Sequence, residues 1–236
     1  MIEIKDIKKY YNEYCVLNIP HLRIEKGESI GLVGNNGAGK TTLFSLVLDL
    51  IKASNGQITN QGIPVNESED WKGFTTAFID ESFLIGYLSP EEYFYFIGEL
   101  RGLNKEDVNH FLVDYNDFFN GEILNQRKYL RDLSKGNQKK VGIVAALIGN
   151  PELVILDEPF ANLDPTTQIC LKKIIKSLTE SKEKTFLISS HDLSHTVDVC
   201  DRIIALNKGE VVKDGPTSPD TLMELEAFFS QSLQEE

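Results

Sequence analysis

The sequence predicts an α/β fold: a mostly parallel sheet bearing a phosphate-binding loop, short strands within residues 1–30, and a helical insertion near residues 82–147. Three observations predict it. Gly34-Asn35-Asn36-Gly37-Ala38-Gly39-Lys40-Thr41 fits the phosphate-loop pattern G-x-x-x-x-G-K-[ST]. The run Leu153-Val154-Ile155-Leu156 ends in Asp157-Glu158, the pattern of a fully buried parallel strand with acids at its carboxyl end. Between these two motifs, strand signals give way to helical ones and then return.

The elements follow in order. Ile2, Ile4 and Ile7, then Leu22-Arg23-Ile24, read as short strands within residues 1–30. Ser29-Ile30-Gly31-Leu32-Val33 is a buried strand entering the loop, and Leu43, Phe44, Leu46, Val47 and Leu50 repeat at helical spacing after it. Asn55-Gly56 and Gln61-Gly62 are turn signals around Gln57-Ile58-Thr59, and Phe74 to Ile79 is a further strand. Ser89-Pro90-Glu91-Glu92 starts a helix, with Ser at the N-cap, Pro in the first turn and Glu three residues after the Ser. Residues 90–130 read as mostly helical. Thr185 to Ser189 and Ile203 to Leu206 are strands. An acidic C-terminal helix covers about 219–233, carrying Leu222, Leu225, Phe228 and Phe229. The 236 residues thus read as a single domain.

A net charge of −12 argues against non-specific binding to nucleic acid, whose phosphates need Lys and Arg. Cys15, Cys170 and Cys200 are odd in number and form no C-x-x-C pair, which points to a reducing, cytoplasmic setting with inert thiols. Met1-Ile2-Glu3-Ile4-Lys5 lacks a signal-peptide apolar region, and runs such as 141–149 fall far short of the roughly 18 apolar residues a membrane span needs.

The loop's chemistry is direct. Its glycines let backbone N–H groups approach phosphate oxygens with no Cβ in the way, and the following helix N-terminus adds partial positive charge. Lys40 can reach the β- and γ-phosphates, and the Thr41 hydroxyl can ligate Mg²⁺. Asp157 stands where a second Mg²⁺ contact belongs. Glu158 is positioned to polarise an attacking water.

Leu133-Ser134-Lys135-Gly136-Asn137-Gln138 lies 20 residues before Leu153. With this segment added, the chain resembles the ATP-binding subunits of ABC transporters from about residue 2 to 215, and is closest in look to export-type subunits. The segment is similar to the family's LSGGQ signature, with Lys135 in place of a glycine and Asn137 in place of the glutamine. The resemblance implies a P-loop ATPase core with an N-terminal antiparallel β subdomain and an inserted α-helical subdomain. It implies ATP contacts along Gly34, Asn35, Asn36, Gly37, Ala38, Gly39, Lys40, Thr41 and Thr42. It further implies that Ser134 and Gly136 contact ATP held by an opposing subunit in a head-to-tail dimer.

Ala161-Asn162-Leu163-Asp164 resembles the family's D-loop, and His191 its switch histidine at the γ-phosphate. Tyr11 stands where the family stacks an aromatic on adenine, with Tyr10 as the adjacent rival. Where the family has a glutamine after the strand that enters the insert, Ile79-Asp80-Glu81 stands here. Asp80 aligns best and would join Thr41 and Asp157 around Mg²⁺, with Glu81 the alternative. Three carboxylates (Asp80, Asp157 and Glu158) would then repel one another. His191 and His195 at i,i+4 superficially resemble a zinc pair, but the zincin glutamate is replaced by Asp192 and no third ligand is apparent.

The implied function is a Mg²⁺-dependent ATPase subunit, peripheral at the inner face of the membrane, powering a separate permease and driving export rather than import. The alternative is a soluble ABC ATPase that transports nothing, such as an iron–sulphur cluster assembly ATPase. Phe83-Leu84-Ile85 through Tyr93-Phe94-Tyr95-Phe96 is the expected permease-docking stretch.

Overall fold

The computed structural model describes residues 1–232. Strands β1 (Ile2–Tyr11) and β2 (Tyr14–Ile24) form a hairpin, longer than the short strands expected. Strand β3 (Ser29–Val33) runs into helix α1 (Lys40–Val47) through the phosphate loop. Strands β4 (Asn55–Asn60) and β5 (Ile63–Pro64) follow, then β6 (Thr75–Phe78). Next come helices α2 (Pro90–Leu100), α3 (Lys105–Val113), α4 (Asn116–Phe119) and α5 (Lys135–Ala145). Strand β7 (Leu153–Leu156), helix α6 (Pro165–Thr179), strand β8 (Thr185–Ser190) and helix α7 (Leu193–Val199) rebuild the alternation. Strands β9 (Arg202–Asn207) and β10 (Glu210–Pro216) and helix α8 (Thr221–Ser232) end the described chain.

The first sheet is antiparallel, in the order β2-β1-β4-β5. The second has the order β10-β9-β3-β8-β7-β6, parallel throughout except for its antiparallel edge strand β10. Side-chain alternation splits the second sheet between two cores. Leu153, Ile155, Leu187 and Leu206 face a core shared with α1 and the antiparallel sheet. Val154, Leu156, Ile188 and Ala205 face the other, shared with the helices. Because β3, β7 and β8 are parallel, Gly34, Asp157 and His191 all follow carboxyl ends on one edge of the sheet.

Several starts and stops follow from caps legible in the sequence. Glu92 N–H donates to Ser89 Oγ at 3.2 Å, and Ser89 N–H donates to Glu92 Oε2 at 2.8 Å, closing the expected capping box. A second box, Asn104 with Asp107, starts α3. The stretch expected to be helical over 90–130 departs from helix after α4, where Asn120 and Gly121 take left-handed backbone angles. The last helix begins at Thr221, whose Oγ1 accepts the Ser218 N–H at 2.8 Å. Residue 233, the expected end of that helix, lies outside the described residues.

Candidate functional site

The loop between β3 and α1 is shaped by its glycines. Gly39 has φ +105, and a Cβ there would meet Leu17 Cδ1 at 2.9 Å, so only glycine lets the loop close against β2. Gly39 is also the N-cap of α1 and supplies no side-chain cap, which leaves the first-turn N–H groups without a side-chain acceptor. These groups face a cleft of about 360 Å³ lined by Val16, Asn36, Gly37, Gly39, Lys40, Thr41, Thr42 and Glu158. Lys40 is buried, and its Nζ donates to Gly34 O at 2.7 Å and Asn35 O at 3.3 Å.

Two motifs far apart in sequence meet at this cleft. Thr41 Oγ1 donates to Asp157 Oδ2 at 2.6 Å. Asp157 also accepts a hydrogen bond from the Ser189 hydroxyl. Burial pushes the Asp157 carboxyl above its ordinary pKa; the hydrogen bonds from Ser189 and Thr41 oppose that shift, and the nearby Glu158 charge adds to it. A buried carboxylate beside a threonine hydroxyl is a hard-oxygen pair of the kind Mg²⁺ takes, so these residues fit the expected ion.

Glu158 is held at every polar group. Its backbone sits in the left-handed region at φ 47. Its N–H donates to Ser189 Oγ at 2.9 Å, and its carbonyl accepts from Lys139 Nζ at 2.8 Å. On its side chain, Oε2 lies 2.8 Å from His191 Nδ1, and Oε1 lies 3.6 Å from Lys40 Nζ. Lys40, Thr41, Asp157, Glu158 and His191 therefore converge.

Sequence reading missed Ser189, Lys139 and Val16. Ser189 carried a faint signal, a hydroxyl ending an otherwise apolar strand; Lys139 and Val16 carried none.

Asp80 is engaged elsewhere. Its Oδ1 accepts the Ser82 N–H at 2.7 Å, capping a 3₁₀ turn over Glu81–Phe83. Hydrogen bonding from the Ser82 side chain, and then from its N–H, holds the Asp80 carboxyl below the usual range, assisted by Lys135 and Lys139. Among the described residues no three His, Cys, Asp or Glu side chains gather into a metal-holding group. The expected repulsive cluster of Asp80, Asp157 and Glu158 is thus corrected: the cap turns Asp80 to its own turn. Glu81 Oε1 instead lies 3.6 Å from Lys139 Nζ.

Ser134 caps α5, accepting the Asn137 N–H at 3.2 Å. Gly136 packs where a Cβ would meet Asn162 O at 2.9 Å, so the signature-like segment touches the segment resembling the D-loop. Asp164 of that segment caps α6 through Thr167 N–H at 3.0 Å. Tyr10 and Tyr11 are exposed at the end of β1, and Lys9 Nζ stands 4.9 Å from the Tyr11 ring centre; neither tyrosine lines the cleft. His195 packs on Phe160 and lies 3.5 Å from Asp192 Oδ2, and burial lowers its pKa.

A second, larger depression of about 550 Å³ lies on the helical side, lined among others by Leu50, Ile79, Phe83, Leu84, Ile97 and Leu100. Its wall is fixed by Arg101, whose guanidinium donates to Lys72 O, Gly73 O and Thr75 O at 2.8 to 3.0 Å. Phe83, Leu84 and Tyr93 of the expected docking stretch line it. Phe94 from the same stretch is wholly buried core.

Comparison with known proteins gives the family and the fold. The family model described as "ABC transporter" matches residues 17–161. An ABC transporter ATP-binding protein of Methanocaldococcus jannaschii is 34% identical over 226 residues, covering 91% of this chain and 77% of that protein. A spermidine/putrescine import ATP-binding protein of Legionella pneumophila is 29% identical over 215 residues, covering 91% of this chain and 59% of that protein. A dimeric ATP-binding cassette in a post-hydrolysis state with ADP and Pi has the same fold at a TM-score of 0.81. It is 24% identical, with 92% of this chain and 99% of that chain covered.

Proposed function

Because the chain belongs to the ABC transporter family of ATP-binding proteins and is an ATPase of that family, we propose that it powers a separate membrane permease. In this reading two copies close head-to-tail, each phosphate loop facing the other's Ser134 and Gly136. The observation that carries it is the pairing of a built ATP cleft with an apolar groove on the same subunit. The first fits a nucleotide. The second is an exposed apolar depression of the kind that receives another protein's short helix.

Lys40 holds the β- and γ-phosphates from the floor of the loop, and the α1 N-terminus supplies N–H donors around them. Thr41 and Asp157 would hold Mg²⁺, which when bound neutralises phosphate charge. Glu158 takes the proton of the attacking water, and His191 keeps its carboxylate aimed. ATP favouring the closed pair, and its loss reopening it, is what does work on a permease.

No described helix is long and apolar enough to cross a membrane. In this reading the subunit reaches the bilayer through its permease, at the cytoplasmic face. Export is the direction proposed, supported by the resemblance of the motifs to export-type subunits.

The test is co-purification from detergent-solubilised membranes, using tagged Glu158→Gln with and without Phe83→Glu. Capture of a multi-spanning protein that Phe83→Glu abolishes supports the reading; capture of none, or capture indifferent to Phe83, overturns it. Accumulation of substrate in inside-out vesicles on ATP addition supports export, and its absence there with import into right-side-out vesicles overturns it.

A further inference from the structure

The strained backbone of Glu158 has one buried cation attached to it. Lys139, on α5, is 5% exposed and donates to the Glu158 carbonyl at 2.8 Å. A non-glycine residue at φ 47 is strained and persists where its surroundings over-determine it. Here the N–H is fixed by Ser189 and the carbonyl by Lys139. A shift of that carbonyl would move the carboxylate off His191 and off the cleft.

Lys139 has a second partner. Glu81 Oε1 lies 3.6 Å away, buried and accepting no hydrogen bond among the described residues. Glu81 opens the 3₁₀ turn whose Phe83 lines the apolar groove. One buried ammonium therefore touches the groove's turn on one side and the backbone of the catalytic carboxylate on the other. It is carried by the helix that Ser134 caps.

We propose that Lys139 is a positioning residue for ATP hydrolysis, with Glu81 as the counter-ion that ties its placement to the groove. The proposal rests on the assignment of Glu158 as general base. The competing role is mutual neutralisation, in which Lys139 is present only to balance the buried Glu81. The two roles separate in a neutral pair. Removing one partner of a buried pair destabilises the fold, whereas replacing both does not.

The experiment measures kcat, KM, ATP affinity and Tm for the full chain and for Lys139→Met, Glu81→Gln/Lys139→Met and Glu158→Gln. Lys139→Met is expected to lower kcat about tenfold or more, with ATP affinity unchanged, because the carboxylate is displaced and the loop is not. The double variant is expected to recover Tm while kcat stays low. Recovery of kcat in the double variant, or normal kcat in Lys139→Met, overturns the proposal. Normal turnover in Glu158→Gln instead overturns the assignment beneath it, so the two failures are distinct. If Lys139→Met fails to fold, the double variant alone decides.

Discussion

His191 Nδ1 lies 2.8 Å from Glu158 Oε2, joining residues that lie just past the carboxyl ends of neighbouring parallel strands β7 and β8. The ring thus orients the carboxylate assigned to the attacking water. Glu158→Gln should slow hydrolysis by about 10²–10⁴-fold, the typical contribution of a general base. ATP binding should survive, and an ATP-bound dimer should accumulate on gel filtration. His191→Ala should slow hydrolysis less than Glu158→Gln while also retaining ATP. Equal turnover in wild type and both variants would remove the pair from the mechanism.

Among the described residues, Lys40 is the only cation lining the nucleotide cleft, at the floor of the loop. Lys40→Ala should abolish tight ATP binding or turnover, since the β- and γ-phosphates lose their cationic partner. Undiminished MgATP turnover by the purified variant would contradict the assignment.

Asp157 carries a stability penalty along with its function. Burial raises its folded pKa above the unfolded value, so its charge destabilises the fold above that pKa. Asp157→Asn should therefore raise Tm at pH 7 while abolishing Mg²⁺-dependent hydrolysis. The gain in Tm should shrink as pH falls through the carboxylate range, because the wild-type side chain becomes neutral there. Thermal melts across that range check the sign; a lowered Tm at pH 7 would show that the Thr41 and Ser189 hydrogen bonds outweigh desolvation.

Asp80 is committed to the Ser82 N–H. ATPase rate against free Mg²⁺ at fixed ATP should give superimposable curves for wild type and Asp80→Gln. A shallower Mg²⁺ dependence in the variant would mean that the cap opens and Asp80 reaches the metal.

The sequence by itself determined the phosphate loop, because glycine at Gly39 and the Lys40-Thr41 pair are local requirements of phosphate chemistry. It determined β7 and its acids, because a strand buried on both faces must be apolar throughout. It also determined the α2 start, because a capping box spans four residues. The tertiary structure decided what surrounds Glu158. Ser189 and Lys139 reach it from β8 and α5, and neither contact has a spacing rule in the chain. It also set the directions of Asp80 and Glu81. Adjacent residues alternate direction as a strand ends, and the Ser82 cap turned Asp80 outward and Glu81 toward Lys139. Local bonding is written in neighbouring residues, whereas a polar contact across elements is set only when the sheet and helices pack.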